Sequence, residues 1–435
     1  MKIGFIIATL SFSALATMPA ITLDRALQRT LEKNPAIERA RLNLEQAAGR
    51  RLILRSIMWP NLKAGVPGGV QGGERAGENN IKVFGFARGF FTQPLLDAAI
   101  APSIRRGDVE LLIAQEQLNL AVEQQLHATR LAFYSALYNR QLLATREEER
   151  EHLNENVASQ RERYRAGLAD RAAFTSATMQ AGELDPLVEA ARRGYKGAQL
   201  QLAQLMAMDL KSEASLSDPE GELSFAHVDV DLAKETAGAL ERRTDIKLAR
   251  LFVRAANEDE RIIAAGYYPA VNASATGDYI PVTGIHREGS TSKVDDFLGS
   301  ELRQGAALGW RVIDNGKVGG ARLRQRKARE INEVELQKLQ SNVGRELSRI
   351  RNDLAGIDDK HKSLASGTEN ARQTASAVQQ NLGSGLSSQL EYRLAEGSVL
   401  KTETGLLEAT YLQNVALAEW DRATGRYFQS AEDMR

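Results

Sequence analysis

Histidines, dense carboxylates and glycine runs are the places where this sequence could do chemistry, and none is arranged for it. The five histidines, His127, His152, His227, His286 and His361, lie far apart, without the spacing that lets imidazoles share a metal ion. Glu147, Glu148 and Glu149 stand among arginines on a helix-patterned stretch, where solvated ion pairs are the ordinary reading. Gly68-Gly69 and Gly72-Gly73 lack a strand before, a helix after, and any Gly-Lys-Ser/Thr, so they read as loop rather than phosphate cradle. No serine or threonine has a recognisable base and orienter. The expectation is a chain that is not an enzyme and needs no cofactor or metal.

Composition narrows the class further. The 435 residues are 43% hydrophobic but only 6% aromatic, which fits long helices better than a compact enzyme core. Lys plus Arg and Asp plus Glu each number 56 and are interspersed, so no basic field exists for nucleic acid. Cysteine is absent, which excludes disulfides, zinc thiolates and a lipidated N-terminal cysteine. Lys2, the apolar run from Ile3 to Leu15 and Ala14-Leu15-Ala16 read as a signal peptide over residues 1–16, the alternative being a buried N-terminal helix. No other segment is apolar and long enough to cross a bilayer as a helix, so membrane residence requires strands.

The elements that must position any site come in two copies. Arg163-Tyr164-Arg165-Ala166-Gly167-Leu168-Ala169-Asp170 and Asn381-Leu382-Gly383-Ser384-Gly385-Leu386-Ser387-Ser388 each lie between two helix-patterned runs and read as hairpin turns, with Gly167 and Gly385 suited to a left-handed helix end. Downstream, Phe174, Ala177, Ala181, Val188, Ala191, Ala198 and Leu202 align with Tyr392, Ala395, Val399, Leu406, Ala409, Ala416 and Trp420 at a constant shift of 218 (385 minus 167). Upstream, Leu23, Leu31, Ile37, Ala47, Ile53 and Pro60 align with Leu232, Leu240, Ile246, Ala256, Ile262 and Pro269 at a shift of 209 (232 minus 23). The chain is a tandem duplication.

The expected layout follows from that register. The first repeat spans residues 17–207, with helices at about 23–58, strands at about 61–95, a long helix at about 98–165 and a return helix at about 169–207. A linker occupies 208–230. The second repeat spans 231–427, with helices at about 231–266, strands at about 270–313, a long helix at about 316–382 and a return helix at about 387–425; residues 428–435 form a tail. Each long helix would run about 100 Å at 1.5 Å per residue. Asp185-Pro186 should kink or split the first return helix. Period-two alternation marks the strand segments, with glycine- and charge-rich loops expected at 68–80 and 283–301. Four such strands are too few to close a barrel alone, and a small soluble sheet is the alternative. Phe84, Phe86, Phe90, Phe91, Tyr279 and Trp310 cluster in this region.

The layout resembles the TolC-type outer-membrane efflux family. Leu23-Asp24-Arg25-Ala26-Leu27 through Asn34-Pro35-Ala36-Ile37 looks like the family's opening, Glu241-Arg242-Arg243-Thr244-Asp245-Ile246 like its second-half counterpart, and Ala423-Thr424-Gly425 like its usual ending. The resemblance implies a mainly α fold with a small β part. Duplicated long antiparallel helical hairpins would form an α-barrel, and four strands per chain would join a trimeric, twelve-stranded transmembrane β-barrel. It implies an exit duct for efflux or secretion, with porin activity, in the cell outer membrane with its tunnel in the periplasm. Partners would be two further copies, a periplasmic adaptor, an inner-membrane pump or ABC transporter, and outer-membrane lipid. Arg165, Gly167, Leu168, Gly385 and Leu386 would be docking tips, although the glycines also serve as plain helix terminators. Glu391 would line a pore constriction, with Leu394 where the family has a second acid, and the clustered aromatics would lie at the membrane interface. Thr244 departs from a common family proline. A periplasmic coiled-coil adaptor or a structural protein without a barrel is the competing reading.

Overall fold

The protein is described by a computed structural model over residues 20–75, 78–209, 218–228, 231–281 and 298–426. The signal peptide at 1–16, the middle of the linker at 210–217, the loop residues 282–297 and the tail at 428–435 lie outside the described residues. Internal packing divides the chain into one unit of residues 1–39, 119–243 and 341–435 and a second of residues 40–118 and 244–340.

In the first unit, α1 (Leu23–Lys33) is started by the Thr22 hydroxyl, which accepts from the Arg25 N–H, and it buries Ala26, Leu27 and Thr30. Asn34 then ends α1 and opens α2 (Pro35–Arg55). Its side chain accepts from the Ala36 N–H at 2.8 Å and donates to the Leu205 carbonyl at 2.8 Å and to Gln125 at 3.1 Å. Pro35 suits this start because a first-turn N–H has no intrahelical partner to lose. In the second repeat Arg243, 209 positions on, ends α5 (Leu232–Arg242) and donates to the Ala423 carbonyl at 3.3 Å. Ala423 is Leu205 shifted by 218. Two different side chains thus tie the same joint in each repeat.

The long helices α3 (Ile100–Arg165) and α7 (Lys317–Gly383) and the return helices α4 (Arg171–Leu205) and α8 (Gln389–Thr424) follow the two tandem registers. On α4 the alanine-rich seam is buried at Ala177, Ala181, Leu184, Val188, Ala191, Ala198 and Leu202, and on α7 at Val343, Leu347, Ile350 and Leu354. Ile21, Ala26, Ala132, Phe133, Leu137, Leu202 and Met206 form one core; Leu153, Ala181, Leu184 and Val188 form another. The expected split at Pro186 does not occur, because α4 is one unbroken helix. Leu184 and Val188, buried on either side of the proline, hold the two halves to the same core.

In the second unit, α6 (Thr244–Ala264) packs Ala255, Leu248 and Leu251 against Val109 and Ile113. Arg105 and Arg106 of α3 reach Glu258 and Asp259 at 3.0 Å each. The strands are β1 (Asn61–Gly65), β2 (Gly68–Arg75), β3 (Glu78–Gly85), β4 (Ala87–Leu96), β5 (Ala270–Pro281) and β6 (Leu298–Gly309). A four-stranded antiparallel sheet runs β1-β4-β5-β6, and β2 and β3 form a separate two-stranded ribbon. The segment 68–80, expected as loop, is largely this ribbon. Its glycines carry no alternating side chains, so backbone pairing from Gly68↔Gly85 to Arg75↔Glu78 leaves little trace in the sequence. β4 from the first repeat pairs with β5 from the second, which joins the two hairpins into one sheet.

Candidate functional site: hairpin tips and a two-faced sheet

Both hairpin tips close by the same backbone device. Gly167 (φ +72°) donates to the Tyr164 carbonyl at 3.1 Å, and Leu168 donates to Arg163 at 2.8 Å. Gly385 (φ +77°) donates to Leu382 at 3.2 Å, and Leu386 to Asn381 at 2.8 Å. These paired bonds satisfy the last carbonyls of α3 and α7, and the left-handed residue between them favours glycine. The next helix is then capped, by Asp170 accepting from Ala173 on α4 and by Ser388 accepting from Glu391 on α8. Leu168 and Leu386 project from the tips, 73% and 80% exposed. Arg165 pairs with Glu162 of its own helix at 2.9 Å, with both side chains exposed. Tyr164 stacks on Phe174 at 6.0 Å between centroids, closing the first hairpin just behind its tip.

Glu391 is the third residue of a capping box: its carboxylate accepts from the Ser388 N–H at 2.7 Å while its own N–H donates to the Ser388 hydroxyl at 3.2 Å. Leu390 and Leu394, one turn apart, are exposed. Tyr392 and Ala395 are the buried side of the same helix. Tyr392 lines a cleft of about 710 Å³ between α3, α7 and α8 with Glu149, His152, Glu155, Glu396 and Glu403. Burial first, then the neighbouring Glu396 charge, push Glu149 up to about 7. The sequence reading of Glu147 to Glu149 as a solvated set therefore divides: Glu147 pairs with Arg192 at 2.7 Å, whereas Glu149 turns into the cleft. Helical phase relative to the Leu153 core was the available signal.

The sheet has two unlike faces, because directly opposed residues share a face and successive residues alternate. One face carries Leu62, Ala64, Ala87, Phe91, Val271, Ala273, Ala275, Tyr279, Leu302, Ala306 and Leu308, with Gln93, Ser300 and Gln304 as its uncharged polar members, as the registers Leu62↔Phe91↔Ala275↔Gln304 and Gly277↔Leu302 require. The other carries Asn61, Lys63, Arg88, Thr92, Asn272, Ser274, Thr276, Asp278, Glu301 and Arg303. All five charged residues of the four strands fall on this second face.

Of the aromatics singled out from the sequence, Phe91 and Tyr279 belong to the apolar face. Trp310 follows β6 and donates its indole N–H to the Tyr267 carbonyl at 3.1 Å. Phe86 and Phe90 take the charged face instead, flanking the Arg88 guanidinium at 4.9 and 5.6 Å. Phe90 stands two residues from Arg88 along β4, and Phe86 reaches the same guanidinium from just before the strand. Phe84 is in β3, and its side chain lies outside the described residues.

Residues 237–426 match the family model described as "Outer membrane efflux protein". No curated protein matches the chain in sequence. Among solved structures, the fold is similar to the CmeC outer membrane channel of Campylobacter jejuni, with TM-score 0.81 at 13% identity over 98% of this chain and 93% of that one. It is similar to the outer membrane protein VceC of Vibrio cholerae, with TM-score 0.80 at 16% identity over 93% of this chain and 96% of that one. The open-state MtrE outer membrane channel of Neisseria gonorrhoeae gives TM-score 0.75 at 16% identity over 93% and 88%. At these identities the likeness establishes the fold.

Proposed function

We propose that this chain, which carries an outer membrane efflux protein domain on an outer-membrane-channel fold, is a passive exit duct of the outer membrane with its helical tunnel in the periplasm. The observation that carries the reading is the two-faced sheet. Its apolar face suits lipid and its charged face suits water, which is the alternation of a transmembrane barrel wall. Strands β5 and β6 have 12 residues each, enough to cross a hydrocarbon core when tilted.

Oligomerisation follows from the edges. β1 and β6 each have one pairing neighbour in the four-stranded sheet. In hydrocarbon an open edge leaves backbone groups without partners, which is costly, so the sheet must close on other copies. Three copies of four strands give a twelve-stranded barrel. The exposed, glycine-closed tips at Gly167-Leu168 and Gly385-Leu386 suit docking by a periplasmic adaptor, which would couple the duct to an energised inner-membrane transporter. Cargo crosses unaltered, so the chain acts as a conduit and performs no reaction.

Membrane fractionation tests this reading. The mature chain should appear in the outer membrane as a trimer that heating dissociates. A soluble periplasmic monomer would overturn the duct and favour an adaptor-like coiled coil.

A further inference from the structure

We infer that Arg88, Asp278, Glu301 and Arg303 form a charge-compensated belt on the barrel's water-facing wall that holds the wild-type duct close to non-selective among small ions, an inference that rests on the duct reading above. Backbone register brings the four together. Arg88 of β4 stands opposite Asp278 of β5, which stands opposite Glu301 of β6, and Arg303 lies two residues along the same strand, opposite Thr276. The Arg88 guanidinium holds Asp278 bidentately at 2.5 and 3.0 Å. Arg303 holds Glu301 in the same way at 2.6 and 2.8 Å. Together with Phe90 and Thr276 they line a cleft of about 200 Å³.

These side chains belong to the wall of the pore because the opposite face of the same strands is mostly apolar and bears no charge. Their bookkeeping is balanced, since two guanidiniums offset two carboxylates, and Lys63 on β1 leaves the sheet's charged face at +1 (three basic minus two acidic). Each ion within a pair is cancelled by a partner in direct contact, so the wild-type belt exerts only a weak field on the lumen. Removing one member leaves its partner uncompensated. Threefold repetition then places three like charges around the axis. A twelve-stranded barrel is narrower than the sixteen-stranded porins that hold an open aqueous channel, so those charges act within about a Debye length of permeating ions, about 10 Å at 0.1 M salt and 30 Å at 0.01 M. In water a unit charge at about 10 Å biases a monovalent ion roughly twofold.

Reversal potentials across planar bilayers holding the purified full-length trimer, under a KCl gradient at low ionic strength, test the belt. Asp278→Asn should shift selectivity toward anions and Arg88→Gln toward cations, each by roughly twofold or more in permeability ratio. The exchanged pair Arg88→Asp with Asp278→Arg should return it to the wild-type value. Glu301→Gln and Arg303→Gln should give the same opposed shifts without touching the β4–β5 junction, so a folding defect in the first pair leaves the belt testable. Wild-type conductance with an unmoved reversal potential in both sets overturns the belt and leaves the duct standing. A wild-type chain that forms no channel overturns the duct, and the belt with it.

Discussion

Glu391 and Ser388 close a reciprocal capping box at the start of α8, with the Glu391 carboxylate 2.7 Å from the Ser388 nitrogen. The residue expected to line a constriction thus already serves its own helix. Two substitutions separate the roles. Glu391→Gln keeps a side-chain acceptor and should leave the tip intact, whereas Glu391→Ala should cost about 1 kcal/mol in helix capping. If three Glu391 carboxylates also ring the pore, both variants should weaken divalent-cation block in bilayer recordings. Unchanged block in Glu391→Gln would remove the residue from the pore and leave it a cap.

The tip glycines separate folding from docking in a similar way. A Cβ at Gly167 or Gly385 meets no atom within 4 Å, so the cost of alanine is confined to the left-handed backbone, about 1–2 kcal/mol. Gly167→Ala and Gly385→Ala should assemble as trimers with modestly lowered melting temperature. Arginine at either position should abolish export while trimers persist on gels. Normal export from both arginine variants refutes docking at the tips.

On the sheet, face identity predicts opposite outcomes for one substituent. Leu302, 71% exposed on the apolar face, stands opposite Gly277; Thr276 next to it belongs to the charged face. Leu302→Arg should cost about 2–4 kcal/mol if it lies near the bilayer midplane, and should deplete folded trimer. Thr276→Arg should insert at wild-type levels. Equal insertion of the two would sink the assignment of the apolar face to lipid.

Glu149 gives the helical unit a pH dependence. Burial and the Glu396 charge raise its folded pKa to about 7 from an ordinary 4.5, so the native state holds a proton that the unfolded chain has released. Stability should therefore fall as pH rises from about 4.5 to 7, with the loss complete above that window. Glu149→Gln should flatten that slope, as read from denaturation midpoints at pH 5 and pH 8. Identical pH responses in the two proteins would exclude Glu149 as the source.

Much of the fold was legible because its information is local and repeated. The seam Ala181, Leu184, Val188, Ala191 and Leu202 on α4 reads directly as helical periodicity, and the structure buries it. Gly167 and Gly385 were legible for a similar reason, since few residues other than glycine accept positive φ cheaply. Less visible was anything that depends on a partner distant in sequence. Pro186 suggests a broken helix when only local cost is counted, whereas burial of Leu184 and Val188 beside it outweighs that cost. The stretch 68–80 reads as loop because the glycines of β2 offer no side chain to alternate, whereas 81–85 of β3 reads as strand, and only the pairing separates it from β4.

The sequence by itself determined the duplication, the long helices and the turns between them, because hydrophobic period and glycine conformation act within a few residues. It also determined the outer-membrane-channel resemblance, since that lies in the order of those elements. Tertiary structure alone decided which charges meet. Arg88 and Asp278 are 190 residues apart, and only the β4–β5 register places one guanidinium on one carboxylate. The same register put Phe90 beside Arg88 rather than on the lipid-suited face, and helix packing turned Glu149 inward while Glu147 stayed out. A strand's alternation says that two faces differ, but which residues oppose each other is fixed by backbone pairing across the fold.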